Sequence, residues 1–464
     1  MKKLTFALFF GNRGFFPGEL IADARRDLVA ACEAAGYEAL VMDEELTRYG
    51  AVETITEGRE FANFLEEHRG EFDGVILSLP NFGDENGAVV ALRDAGVPIL
   101  VHAFPDTMDK MDFAHRRDAM CGKMAMCNLL RQAGIRYTLT ERFCIDPTTD
   151  EFRRELDRFA AVCRVVGGMR RFNIGAIGAR TTAFKTVRWD EIAFQRMGIT
   201  VEALDMSRIF AEMDALEEAE IAEKKAVYAA LSDFGSYPPE KLENIARLGV
   251  VIDRLIAEYD LDAIAIRCWD ELQKRYGVAP CLILGELNER GIAAACELDV
   301  TNAVMMRAVG LAANHPVMLL DVNNNYEDDP DRVIFFHCGP APASLMRGRG
   351  EIREHLMFKK SYGEGSGVGI NHGRYIADDV TIGSFKTEGG RLSAFVAEGE
   401  LTDDSLPEVF FGCGTVFKKK NVGEMLNYMA KNGYRHHVAI TRGHTASAVV
   451  EAFRNYLDYD IDLI

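Results

Sequence analysis

Short apolar runs alternate along the chain with longer stretches in which apolar positions recur every three or four residues. Runs at 4–10, 39–42, 74–79 (GVILSL) and 98–102 (PILVH) are each bounded by polar or Gly-rich segments. An unbroken apolar run of that length is what a strand covered on both faces requires. Segments 20–35, 54–67 and 88–95 carry the helical period between them, so the pattern predicts a doubly wound parallel sheet. Helical patterns return at 114–133 and 150–166, and RRFNIGAIGA at 170–179 opens a second unit of the same kind. There a charged helical stretch over 209–257 reads as a solvated face, followed by strand-like runs at 261–266, 280–284, 316–320 and 333–336. Beyond residue 340 the Gly clusters GRGE, SYGEGSGVG and EGGR separate short alternating segments such as VTIGSF, RLSAFVAEGEL and EVFFGCGTVF. Regular turns between short strands predict a small antiparallel sheet or barrel. A helix at 422–431 and a strand–helix pair at 436–440 and 444–457 close the chain. The expected fold is therefore α/β: two doubly wound parallel-sheet domains, 1–168 (flavodoxin-like) and 169–340, then a C-terminal antiparallel β-barrel-like domain, 341–464.

Composition narrows the partners. Against 53 Lys and Arg stand 72 Asp and Glu, a formal charge of −19, which repels phosphate backbones and anionic lipid and argues against nucleic acid or membrane as the main partner. The ten cysteines are scattered singly with no CxxC pair, a pattern of reduced thiols in a cytoplasmic protein. The N-terminal apolar run lacks the small-residue cleavage site of a secretory leader and reads as a first strand. No apolar stretch approaches the roughly 20 residues of a membrane span. GAIGAR at 175–180 lacks the full dinucleotide-binding spacing and the following acidic residue, and reads as a tight strand-to-helix turn.

The chemistry concentrates between 291 and 345. Glu297 follows a run of small residues, and Asp321 and His337 each follow an apolar strand-like run. Neighbouring strands that end together would present such residues at one edge. With the late pair His436 and His437, the set becomes two carboxylates and imidazoles without sulfur, which suits Mn²⁺, Mg²⁺ or Co²⁺ with open positions for water or hydroxyls. Satisfied core histidines and helix-capping carboxylates would leave the same trace. In the first domain the loops GNRGFFPG and PNFGDENG place Arg13, Asn81, Asp84 and Glu85 after strands, as site residues or as turns and caps.

The ordered set E-L-D-x-x-x-A at Glu297, L-D at Asp321, H-C-G at His337 and H-H-V at His437, with C-W at 268–269 and N-F-G-D-E at 81–85, resembles the L-fucose isomerase and L-arabinose isomerase family over essentially the whole chain. The resemblance implies a metal-dependent aldose–ketose isomerase acting through a cis-enediol. Glu297, Asp321, His337 and His437 would be metal ligands, with Glu297 and Asp321 as the acid/base pair; of the two adjacent histidines, the second is the better match. Substrate hydroxyls would be met by Arg13, Trp269, Asn371, His372 and Lys418. The region around Arg13 can complete a neighbouring subunit's site in this family, which implies a homo-oligomer, trimer or hexamer. Aspartate at 321 resembles the fucose branch, yet the interval to His437 is shorter than in L-fucose isomerase proper, implying a trimmed C-terminal domain. The sugar is left open among pentoses, 6-deoxyhexoses and modified hexoses, and Arg374 beside His372 leaves room for an anionic one, phosphorylated or sulfonated. A metal-dependent epimerase or hydrolase and a non-catalytic sugar-binding protein are the alternatives.

Overall fold

The computed structural model describes residues 3–112 and 114–464. Its two compact units are Met1–Gly167 with Glu451–Asp458, and Gly168–Val450 with Tyr459–Ile464. In the first, β1 (Thr5–Phe10), β2 (Glu38–Val41), β3 (Gly74–Leu79), β4 (Ile99–Ala103) and β5 (Thr138–Leu139) form a parallel sheet in the order β2-β1-β3-β4-β5. Alternation of side chains along the strands builds two cores: Ala7, Phe9, Val75, Leu77 and Val101 face one, Phe6, Leu8, Phe10, Ile76 and Leu100 the other. This explains the unbroken apolar runs. Truncating Phe9 to alanine would cost about 3–5 kcal/mol. The returning segment Glu451–Asp458 is tied into this unit: the Tyr456 hydroxyl bonds with that of Thr138 (3.0 Å) and with the Ile99 backbone (3.3 Å), and Arg136 pairs with Asp458 at 2.8 Å.

The second unit contains β6 (Phe172–Ile177), β7 (Ile199–Leu204), β8 (Ser232–Asp233), β9 (Ala263–Ile266), β10 (Ala293–Ala295), β11 (Val317–Asn325), β12 (Arg332–His337), β13 (Gly350–Glu354), β14 (Val368–Arg374), β15 (Asp378–Glu388), β16 (Arg391–Thr402), β17 (Cys413–Lys418), β18 (His437–Arg442) and β19 (Asp460–Leu463). A parallel sheet has the order β10-β9-β6-β7, and a mixed ten-stranded sheet the order β19-β16-β15-β18-β11-β12-β17-β14-β13-β8. Strand β16 also pairs with β17, so the pairs β16–β15, β15–β18, β18–β11, β11–β12, β12–β17 and β17–β16 run as a continuous circuit. Leu320, Phe335, Ile382, Phe395, Phe417 and Ile440 from these strands share one core, with the Phe335 and Phe417 rings stacked at 4.7 Å.

The helix Val300–Ala313 packs against β9 and β10 and also against β11, β15 and β18. Ten of its residues are buried, which a helix clamped between two sheets requires. It brings the carboxyl end of β10 beside the start of β18. Residues 280–284, expected as a strand, instead open a helix, Cys281–Glu289, buried from Cys281 through Asn288. A short apolar run buried on all sides has no periodicity to separate strand from helix. The stretch 209–257 resolves into the helices Met206–Ala215, Glu218–Leu231 and Pro239–Glu258, and the last buries Ile245, Leu248, Val251, Ile252 and Leu255 rather than lying wholly in solvent.

Candidate active site

Two residues beyond β10, both Glu297 (φ 59°) and Leu298 (φ 61°) adopt the left-handed region. For non-glycine residues each such position costs about 1–2 kcal/mol, and it persists only where the surroundings fix it. Here the Leu298 N–H donates to the Ile266 carbonyl at the tip of β9 (3.0 Å), and Asp299 caps the helix Val300–Ala313 by accepting from the Asn302 N–H (3.1 Å). The strained turn places Glu297 Oε2 3.0 Å from His437 Nε2. Register supplies the rest. Asp321 on β11 stands directly opposite His437 on β18, with Asp321 Oδ1 3.3 Å from His437 Nε2 and 3.7 Å from His436 Nε2. His337 ends β12, and one ligand atom each from Glu297, His337 and His437 lie within 4.8 Å of one another.

Asp299 holds the arrangement from behind. Its Oδ2 accepts from His437 Nδ1 (2.8 Å) and Asn302 Nδ2 (2.7 Å), its Oδ1 accepts from the Thr301 hydroxyl (2.8 Å), and buried Arg435 pairs with it. Burial opposes its charge, but Arg435 and His437 hold the carboxyl well below the usual range. Because Nδ1 donates to Asp299, His437 turns Nε2 toward the two other carboxylates. Burial opposes protonation there, but the bonds with Asp299 and Glu297 raise its pKa to about 10. Two carboxylates facing one ring nitrogen demand either that second proton or a cation.

The donor set fits a cation on a structural ground. Asp321 Oδ1 and His337 Nε2 are buried without a hydrogen-bond partner, a cost of about 1–3 kcal/mol each that ligation would remove, and the buried His437 Nε2 faces the Glu297 and Asp321 carboxylates. Burial lifts the Asp321 carboxyl above its ordinary range. His337 is buried, yet Cys338 and Asp321 raise it to about 9. Its Nδ1 accepts from the Cys338 backbone N–H at 2.9 Å, with Cys338 Sγ at 3.5 Å.

Residues 7–170 match the family model described as fucose/sulfoquinovose isomerase, N-terminal domain, and residues 335–464 match L-fucose isomerase, C-terminal domain. The chain belongs to the L-fucose isomerase-like family of sugar isomerases. Among its relatives, the sulfoquinovose isomerase of Priestia aryabhattai is 24% identical over 413 residues, covering 86% of this chain and 88% of that protein. That of Alkalicoccus urumqiensis is 23% identical over 414 residues (87% and 89%), and that of Clostridium sp. strain MSTE9 is 22% identical over 351 residues (71% and 72%).

In this L-fucose isomerase-like chain the residues expected at the substrate have the following surroundings. Trp269, after β9, packs 5.6 Å from Phe184, whose ring also lies 5.8 Å from His436 and 6.0 Å from His437. Asn371 is buried, accepting from the Ser232 hydroxyl at 2.7 Å and contacting Met346 Sδ at 3.2 Å. His372 sits opposite Glu351 with a buried, unpartnered Nδ1. Lys418 ends β17 opposite Arg332 and reaches Glu400 at 3.4 Å, whereas the other end of that strand, Cys413, is the one opposite His337. Arg374 donates to the Gly373 and Pro407 carbonyls. In the first unit Arg13 donates to the Gly83 carbonyl (2.9 Å), pairs with Glu85 and lies over the Phe82 ring, while Asn81 bonds Asn12 and Asp84 caps the helix Glu85–Leu92. Sequence reasoning missed Asp299, Arg435 and Phe184. Asp299 carried a signal, a helix-capping aspartate two residues from Glu297; a lone phenylalanine in a polar loop carried none.

Proposed function

We propose that the protein interconverts an aldose and its ketose, moving the carbonyl between C1 and C2 of a sulfonated hexose through a cis-enediol. The observation carrying this reading is the convergence of Glu297, Asp321, His337 and His437, with Asp321 Oδ1 and His337 Nε2 buried and unpartnered. The curated relatives, sulfoquinovose isomerases matched over most of their length, support the sulfonated sugar. Glu297, Asp321, His337 and His437 would hold Mn²⁺, or Mg²⁺ or Co²⁺ in its place. When bound, such an ion supplies Lewis-acid polarisation of the sugar's O1 and O2. One of the two carboxylates takes the proton from C2 of the aldose and returns it to C1. The other moves a proton between the two oxygens, so the sum is an isomerisation with nothing gained or lost. Burial raises the Asp321 carboxyl above its ordinary range, the direction that proton exchange by a carboxyl requires. Asp299 and Arg435 keep the His437 ring oriented.

We further read the six-strand circuit as a small barrel, the protein as a homo-oligomer, trimer or hexamer, and its compartment as the reducing cytoplasm, which the ten free cysteines favour. No described helix is long and apolar enough to cross a membrane.

The test is NMR of Mn²⁺-loaded protein with sulfoquinovose in D₂O, which should give the ketose with deuterium at C1 or C2. Glu297→Gln and Asp321→Asn should each lower kcat by roughly 10²–10⁴-fold. Conversion of neutral aldoses alone would remove the sulfonated substrate, and a C2-inverted aldose as product would favour the epimerase.

A further inference from the structure

The loop that follows β6 is cationic. Residues 178–188, GARTTAFKTVR, carry Arg180, Lys185 and Arg188 and no acidic residue, in a chain of charge −19. No carboxylate among the described residues pairs with any of the three. Arg180 uses one nitrogen, Nη1, on the Thr181 and Thr182 carbonyls (3.0 and 3.3 Å), and Arg188 uses Nε on the Lys185 carbonyl (3.0 Å). By contrast Arg267, at the neighbouring strand tip, lies 3.6 Å from Asp270 and 3.5 Å from Glu271. The same loop carries Phe184 to the rings of Trp269, His436 and His437. It is anchored by buried Val187 and by the Asp190 N–H, which donates to the Thr387 hydroxyl at 2.8 Å.

Position in the sheet gives the scale. With the order β10-β9-β6, the tip of β6 lies two strand spacings from that of β10, the strand leading to Glu297, or about 10 Å. An open-chain hexose with C1 and C2 at the ligand cluster puts a C6 substituent roughly 7 Å away, from bonds of about 1.5 Å, and an arginine side chain spans the difference.

We propose that the loop 178–188 binds the sulfonate of the substrate, Arg180 presenting its uncommitted guanidinium edge and Lys185 a second charge, while Phe184 and Trp269 pack against the sugar's carbon face. The assignment rests on the sulfonated-sugar reading above. Three equivalent oxygens sharing one negative charge suit an arginine fork with a lysine point charge. The apolar faces of a pyranose or open chain suit a pair of rings.

The test measures KM and kcat of Mn²⁺-loaded wild type, Arg180→Gln, Lys185→Gln and the double variant with sulfoquinovose. KM should rise roughly 10- to 100-fold in the double variant, the worth of one or two charge-assisted hydrogen bonds, with kcat little changed and Arg180→Lys recovering part of the loss. Because both tryptophans, Trp189 and Trp269, flank the loop or its phenylalanine, intrinsic fluorescence titrated with 6-deoxy-6-sulfoglucitol should report the same weakening without turnover. Lys185 is exposed, so its variant keeps the comparison open if an Arg180 variant misfolds. A KM that does not move in wild-type-like folded variants, or a fall in kcat alone, overturns the loop assignment and leaves the substrate reading standing. Wild type that leaves sulfoquinovose unconverted while isomerising neutral sugars overturns both.

Discussion

Replacing Asp299 by asparagine keeps the side chain's shape but removes the charge that Arg435 and His437 face. Its partner nitrogen is the one that fixes which face of the His437 ring is offered to a cation, so Mn²⁺ affinity measured by titration calorimetry should fall about 10- to 100-fold. An unchanged affinity would demote Asp299 to a helix cap. His102 offers a separate residue-scale prediction, in the first unit. It is fully buried, its Nε2–H donating to the Ile145 carbonyl (2.8 Å) and its Nδ1 accepting from the Ser78 hydroxyl (2.9 Å), and burial lowers its pKa from 6.5 to about 3. In the folded state the ring is neutral, whereas the unfolded chain takes up a proton below 6.5. Stability therefore falls as pH drops from 6.5 toward 3, by about 2 kcal/mol between pH 7 and pH 5. His102→Gln should remove that part of the pH dependence in urea melts, and an undiminished slope would refute it. The candidate ligands stood out in the sequence because Glu297, Asp321 and His337 each follow an apolar or small-residue run and His437 opens one. Asp299 did not, since an aspartate before a helix is ordinarily explained by capping alone.

At the scale of elements, the helix Cys281–Glu289 shows where the reading failed and what it positions. Gly285 lies so close to the Ala341 backbone that a Cβ would run into that carbonyl, and Asn288 donates to the Pro340 carbonyl at 3.4 Å. The helix thus seats the turn that follows His337. Gly285→Ala should cost about 1–3 kcal/mol of stability through overpacking and weaken metal binding together with it, read by thermal melts with and without Mn²⁺. Loss of stability with intact metal affinity would mean the turn moves independently of His337. The parallel strands of the first unit were legible because burial on both faces leaves an unbroken apolar run. The pairing of β11 with β18 was not, because Asp321 and His437 stand 116 positions apart in sequence and no local pattern specifies a partner at that separation; only the ordered motif set hinted at it.

Across the whole molecule, exposed pairs such as Arg208 with Glu212 and Arg26 with Asp23 are each worth about 0–1 kcal/mol, whereas the proposed ion would rest on very few groups. Added chelator should therefore act locally: removing a tightly held ion lowers the melting midpoint through mass action, and the shift should vanish in Glu297→Gln. The same shift in that variant would place the ion elsewhere. The last scale is temporal. The first unit takes its final piece, Glu451–Asp458, from the far end of the chain, and with it the Tyr456, Asp458 and Glu451 bonds to Ile99, Arg136 and Thr138. During synthesis the bulk of this unit emerges from the ribosome before the second unit yet lacks its last segment until residues 451–458 follow, so a nascent chain stalled anywhere before residue 451 holds an incomplete fold for chaperones to shelter.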